Sequence, residues 1–230
     1  MLPFLLAFAL AAPVEVERVL AVVNGVPVLS SDVELATAGG LVPREPGESD
    51  VDYRKAVVNA LVDLELRWQD LNSSGIALRM PVDLDAAWRA PVQRAGGEEP
   101  LRQRLAQLGL SERDLRELVR RAAVVQAYVA SRFAPFVRPA PSEIEAAWRQ
   151  ELVPELEKAG RPVPPLADVR AEVEALLRER KLLAEIDRWT GELAKRAEIV
   201  RFLPGAPGAA GLAPTPAAAP SAPGPGAHRQ

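Results

Sequence analysis

Val19-Leu20-Ala21-Val22-Val23-Asn24-Gly25-Val26-Pro27-Val28-Leu29-Ser30-Ser31-Asp32 decides the fold. Two short runs of β-branched and aliphatic residues flank Asn24-Gly25. A two-residue hairpin turn of type I′ needs φ > 0 at both central positions, and Asn-Gly meets that demand at least cost. Ser30-Ser31-Asp32 then supplies the polar start of a helix. The stretch therefore predicts strand, tight turn, strand, helix.

Upstream, Met1 to Ala12 is almost wholly apolar and ends in Ala9-Leu10-Ala11. That run is about half the length a bilayer-spanning helix needs. Its small-x-small end matches a secretory cleavage site, which places a signal peptide at 1–11 and a mature chain from residue 12. No Lys or Arg precedes the apolar run, so the amino terminus alone supplies the positive end. A buried N-terminal strand or helix is the weaker alternative. From Pro204 to Gln230 the composition collapses to Pro, Ala and Gly. Such a segment lacks the large apolar groups that offset ordering entropy, so 204–230 reads as a disordered tail.

Between these ends the apolar spacing is helical. Tyr53, Val57, Ala60, Leu61, Leu64, Trp68 and Leu71 stripe a helix over about 52–72, stopped by Ser73-Ser74-Gly75. A shorter helix begins at Pro81, with Val82, Leu84, Ala87 and Trp88 inward. Leu101, Leu105 and Leu108 mark another, ending at Gly109. Ser111-Glu112-Arg113-Asp114 is a capping signal for a long helix carrying Leu115, Leu118, Val119, Ala122, Val125, Val129 and Phe133. Pro135 breaks that run. Ser142-Glu143-Ile144-Glu145, preceded by Pro141, reads as a capping box, with Ile144, Trp148 and Leu152 on one face. Residues 154–165 form a Pro-rich connector. The last helix covers about 167–197, striped by Val169, Val173, Leu176, Leu183, Ile186, Trp189 and Leu193. Glu198 to Leu203 alternates like a strand. A lone hairpin is marginal in water, so this last strand is expected to close against Val19–Val23. The fold class is mainly α: a multi-helix body with a small two- or three-stranded sheet built from the N-terminal hairpin and the C-terminal strand.

Several chemistries are absent. The chain has no cysteine and one histidine, His228, in the Pro/Ala/Gly tail. Thiol nucleophiles, thiolate metal sites, disulfides and a lipid-anchored N-terminal cysteine are excluded. A tail imidazole has no fixed geometry and is a poor general base. No nucleotide-binding, serine-hydrolase or zinc-protease motif occurs. No catalytic residue, metal site or cofactor is assigned. Apolar residues make up 48% and charged residues 26%, with a net charge of −3. Basic and acidic residues are mixed, so no footprint for nucleic acid exists. No integral membrane segment is expected in the mature chain.

The order of these parts resembles the chaperone module of the SurA-like periplasmic chaperones. Leu20-Ala21-Val22-Val23-Asn24-Gly25 through Asp32 is similar to that family's opening segment. Ala60-Leu61-Val62-Asp63-Leu64-Glu65-Leu66 is similar to its long helix. Gly109-Leu110-Ser111 through Arg120, Ala140-Pro141-Ser142 through Trp148, and Ala197-Glu198-Ile199 follow in the family's order. The resemblance covers about residues 18–203. It implies a helical module over 12–203 that acts, without ATP, as a periplasmic holdase. The implied clients are unfolded exported chains, above all outer-membrane β-barrel precursors.

Many members of that family insert parvulin prolyl isomerase domains where this chain has only residues 154–165. That interval is far too short for a domain. Parvulin sites also use buried histidines, so the chain is not expected to be an enzyme. The candidate client-binding residues are Phe136, Phe133, Trp88 and Trp148. Helical aromatics at stripe positions usually belong to the core. Phe136, beside Pro135, escapes the stripe. The competing reading is an exported helical adaptor that binds one folded envelope partner through the same groove.

Overall fold

The computed structural model describes residues 17–202. The expected signal peptide and tail lie outside them. β1 (Val19–Val23) and β2 (Val26–Leu29) form the hairpin, and β3 (Ile199–Arg201) pairs antiparallel with β1, giving the order β2-β1-β3. The turn is as expected: Asn24 and Gly25 have φ of 50° and 83°. The fold is mainly helical with this small three-stranded sheet, as the sequence predicts.

α1 (Ser30–Ala38) follows β2 directly. Asp32 is its third residue, and its carboxylate accepts from the Leu29 amide at 2.8 Å, satisfying one of the donors that a helix start leaves over. α2 (Asp50–Ser73) is capped by Ser49, whose hydroxyl accepts from the Asp52 amide. α2 buries more than the one stripe read from its sequence. Val58, Val62 and Leu66 are buried beside Val57, Leu61 and Leu71. The sheet and α1 cover one side of this helix, while later helices cover another, so a single amphipathic face does not describe it.

α3 (Leu84–Ala95) is capped by Asp83, so Pro81 and Val82 precede it and do not start it. α4 (Glu98–Gln107) stops before Leu108, and both Leu84 and Leu108 are exposed, contrary to the inward placement their spacing suggested. Leu84 sits in the first turn of α3 and Leu108 just past the end of α4. α5 (Glu112–Arg132) has the expected Ser111 cap, with the Ser111 hydroxyl accepting from the Asp114 amide at 3.1 Å. Phe133 caps its C-terminal end, and Pro135 sits in the short 3-10 turn Ala134–Phe136.

α6 (Pro141–Ala147) is capped by Ala140, not by Ser142. Pro141 occupies the first helical position, where its missing N–H costs nothing. The Glu143 carboxylate accepts from the Ala140 amide at 2.6 Å. The Pro-rich connector is shorter than its composition implied. A π-helical turn (Trp148–Leu152) carries the chain from α6 into α7 (Val153–Lys158). The Val153 amide donates back five residues to the Trp148 carbonyl. That widening lets Pro154, which has no N–H to give, sit at a helical start. Only 159–165 is irregular. α8 (Leu166–Ala194) is the longest helix and leads to β3.

Four apolar clusters hold these parts. The first joins the sheet to α1 and α2 and reaches Leu193 on α8. The second packs α1, α3, α4 and α5 around Leu101, Leu105 and Leu115. The third lies between α2, α5 and α8. The fourth is small: Ile144 and Ala147 of α6 against Val173 of α8. α8 thus packs on α6 at its start and on α2 at its end. Its middle is poorly covered, and Leu176 and Leu183, expected inward, are exposed. Among the described residues, no helix is long and apolar enough to cross a membrane.

Candidate functional site

The third cluster is the least sealed part of the body. Leu71, Ala77, Val124 and Val125 are buried there, and a larger set of half-buried groups rests on them, including Trp68, Met80, Val82, Tyr128 and Trp189. Tyr128 and Phe133, from the last turns of α5, meet Trp189 of α8. Tyr128 and Trp189 centroids are 5.2 Å apart, Phe133 and Trp189 are 5.7 Å apart, and Tyr128 and Phe133 meet edge-on at 6.0 Å. Such pairs contribute about 0.5–1.5 kcal/mol each beyond their buried area. The Trp189 indole N–H donates to the Asp70 carboxylate of α2 at 3.3 Å, which fixes the ring's orientation.

Phe136 follows in the 3-10 turn. Its amide donates to the Phe133 carbonyl at 3.0 Å, so the two residues are held in one tight turn. Its side chain is 76% exposed. An exposed phenyl ring in the short turn that follows Phe133 is an apolar group that a partner can cover.

The four sequence candidates separate. Phe133 and Phe136 share one short turn at this end of α5, joined by the hydrogen bond from the Phe136 amide to the Phe133 carbonyl. Trp88 belongs to the second cluster, is 7% exposed, and lies beneath the Arg116 guanidinium, 4.1 Å from the ring centroid. Its cleft between α3 and α5, of about 390 Å³, is walled by Leu84, Val119, Arg113 and Arg120. Trp148 is half-buried on the α6 side, with its indole N–H donating to the Pro164 carbonyl at 3.2 Å. Trp189 and Tyr128 complete the surface and were missed as candidates. Trp189 looks like one more stripe residue of α8, and nothing local in the sequence says that it meets the end of α5.

Charge borders this surface. Arg120 and Arg121 lie over the Trp68 ring at 4.8 and 5.4 Å. Arg120 donates twice to the Glu117 carboxylate at 2.8 Å, and Arg121 donates once at 3.1 Å. These hydrogen bonds, first from Arg120 and against a smaller desolvation effect, pull the Glu117 carboxyl down to about 2. A carboxylate with a lowered folded-state pKa adds stability that is present above its unfolded value and is lost as pH falls. The expected loss runs from the ordinary carboxylate value of 4.5 down to about 2. Glu117 is well solvated, so the effect should stay below about 1 kcal/mol. Urea titrations of wild type and Glu117→Gln from neutral pH to acid should differ in slope over that window. Parallel curves would remove the ion-pair assignment.

The pairing continues inward. Arg121 also donates to Glu65 at 3.2 Å, Gln69 donates to Glu65 at 2.8 Å and to the Val23 carbonyl at 3.1 Å, and the Asn24 side-chain amide donates to Gln69 at 2.8 Å. The Asn24 side-chain oxygen accepts from the Glu198 amide at 2.9 Å. One polar chain therefore ties α5 through α2 to the hairpin turn and to the start of β3. No family model matches the chain, and no curated protein matches it.

Proposed function

We propose that the chain is an ATP-independent periplasmic holdase that binds unfolded exported proteins, outer-membrane β-barrel precursors among them. The observation that carries this reading is Phe136, 76% exposed in the 3-10 turn that directly follows Phe133 of the Tyr128–Phe133–Trp189 cluster. Barrel precursors expose alternating apolar side chains until they insert. A small aromatic surface buries a few of these at a time, binds weakly, and releases by mass action without nucleotide. The order of sequence motifs similar to SurA-like chaperones supports the same reading. The short 159–165 connection, which joins α7 straight to α8, favours a chaperone module without an isomerase domain.

The test is light scattering of a urea-unfolded barrel protein on dilution, with and without the chain. Suppression near stoichiometric ratio without nucleotide is expected. Phe136→Ala should weaken suppression several-fold while changing stability by no more than about 0.5 kcal/mol, because the ring is exposed. Lost stability with intact suppression would return Phe136 to the core. No suppression by a well-folded sample at several-fold excess would overturn the holdase reading. Tight one-to-one capture of a single folded envelope protein would then support an adaptor.

A further inference from the structure

The two edges of the sheet differ in one chemical respect. In an antiparallel pair, alternate residues turn their backbone groups toward the partner strand. The Asn24 amide donates to the Glu198 carbonyl and the Phe202 amide donates to the Leu20 carbonyl, both at 2.8 Å. Glu198, Val200 and Phe202 therefore face β1. Ile199 and Arg201 turn their N–H and C=O groups the other way. Among the described residues, nothing pairs with these four groups.

The β2 edge has no comparable donors. Val23 and Val26 flank the two-residue turn and form its hydrogen-bonded pair, so Pro27 opposite Val22 faces outward. Proline has no N–H to give. The next outward N–H, at Leu29, is already taken by the Asp32 carboxylate at 2.8 Å. A strand can thus be added at β3 but is refused at β2, which is how natural sheets usually guard an edge.

We infer that the outer edge of β3 captures an extended apolar segment of an unfolded client by adding it as a fourth strand. This inference rests on the client-binding reading above and adds a second contact to it. Main-chain pairing is indifferent to side-chain identity, which suits a chaperone with many clients. Val200 is 41% exposed and Phe202 36% exposed on the side of the sheet away from α2, and they would meet alternate apolar residues of the added strand.

The size of the edge selects the occupant. Three residues of strand span about 10 Å. Pairing two copies through it would fall far short of the roughly 1,000 Å² that a stable dimer buries. A weak, reversible client contact needs no such area. The sequence over 204–230 carries prolines at 204, 207, 214, 216, 220, 223 and 225, and proline cannot donate to a strand ladder.

The probe is a fluorescein-labelled peptide of alternating valine and threonine with terminal lysines, added to the full chain. Amide hydrogen exchange by NMR and fluorescence anisotropy are the readouts. Peptide should slow exchange at Ile199 and Arg201 by about tenfold or more. The Val200 amide, already paired to Val22, should change little. The same peptide N-methylated at alternate amides should bind about tenfold more weakly, as should unmodified peptide with Arg201→Pro, which removes an outward donor only. The methylated peptide keeps the test valid if that variant unfolds.

Binding without protection of Ile199 and Arg201 overturns the edge contact and leaves the holdase reading standing. Suppression of aggregation without peptide binding does the same. Neither suppression nor binding overturns both. Protection already present without peptide also overturns the inference: if it grows with protein concentration the occupant is a second copy, and if not, it is another part of this chain.

Discussion

Truncating Leu115 to alanine is expected to destabilise the fold by about 3 kcal/mol, within the 2–5 kcal/mol typical of emptied leucine sites. Leu115 is fully buried, in the cluster that α1, α3, α4 and α5 share. The neighbouring chain is shaped to it. A Cβ placed on Gly39 would lie 2.8 Å from Leu115 Cδ1 and 3.3 Å from the Leu35 carbonyl. The Gly39 backbone is ordinary, with φ of −78°, so its hydrogen is needed for space and not for conformation. Gly39→Ala alone should therefore cost about 1–2 kcal/mol by overpacking. In the Leu115→Ala background the same methyl enters the emptied space. The double variant should lose at least about 1 kcal/mol less than the two single losses combined. Urea denaturation of the four proteins measures this. Additivity within about 0.5 kcal/mol would mean that the two sites do not share the cavity.

The elements most legible in the sequence are those that local chemistry decides. Asn24-Gly25 announces its turn because few other pairs accept two positive φ values. Ser111 is legible as a cap because its hydroxyl acts on an amide three residues away. β3 is legible as a strand from alternation, and as a partner for β1 because an isolated hairpin needs one. Composition misleads where geometry intervenes. Pro154 looks like a breaker, yet a π-helical turn absorbs it. Periodicity misleads where coverage ends: Leu176 and Leu183 keep helical spacing, but α8 is in transit between two packing partners there.

The candidate surface was half legible. Phe136 stands out because Pro135 takes it off the α5 stripe. Trp88 keeps the inward spacing of its helix stripe, and at 7% exposure beneath Arg116 it lies in the core. Tyr128 and Trp189 meet through contacts between distant parts of the chain, which no local pattern encodes. The polar chain from Arg121 to Asn24 was illegible for the same reason. Its members are common surface residue types, each unremarkable in its own helix or turn.

Asn24 concentrates the consequences of that chain, and Asn24→Ala is expected to cost about 2–3 kcal/mol. Two separable causes add. Alanine at φ of 50° pays a steric cost of roughly 1–2 kcal/mol that asparagine partly escapes. The side chain's two hydrogen bonds, to Gln69 and from the Glu198 amide, are also lost, at about 0.5–1.5 kcal/mol each. Asn24→Gly keeps the backbone at ease and removes only the hydrogen bonds, so it should cost about half as much. Asn24→Asp retains an acceptor for the Glu198 amide and should cost least. Chemical denaturation ranks the three, and amide exchange at Glu198 reports whether β3 loosens before the body unfolds. Should glycine prove as stable as asparagine, the side-chain tether contributes nothing and the type I′ turn alone holds the hairpin. Should glycine prove as damaging as alanine, the tether carries the whole effect. β3 would then depend on a single amide side chain to keep it in register on β1.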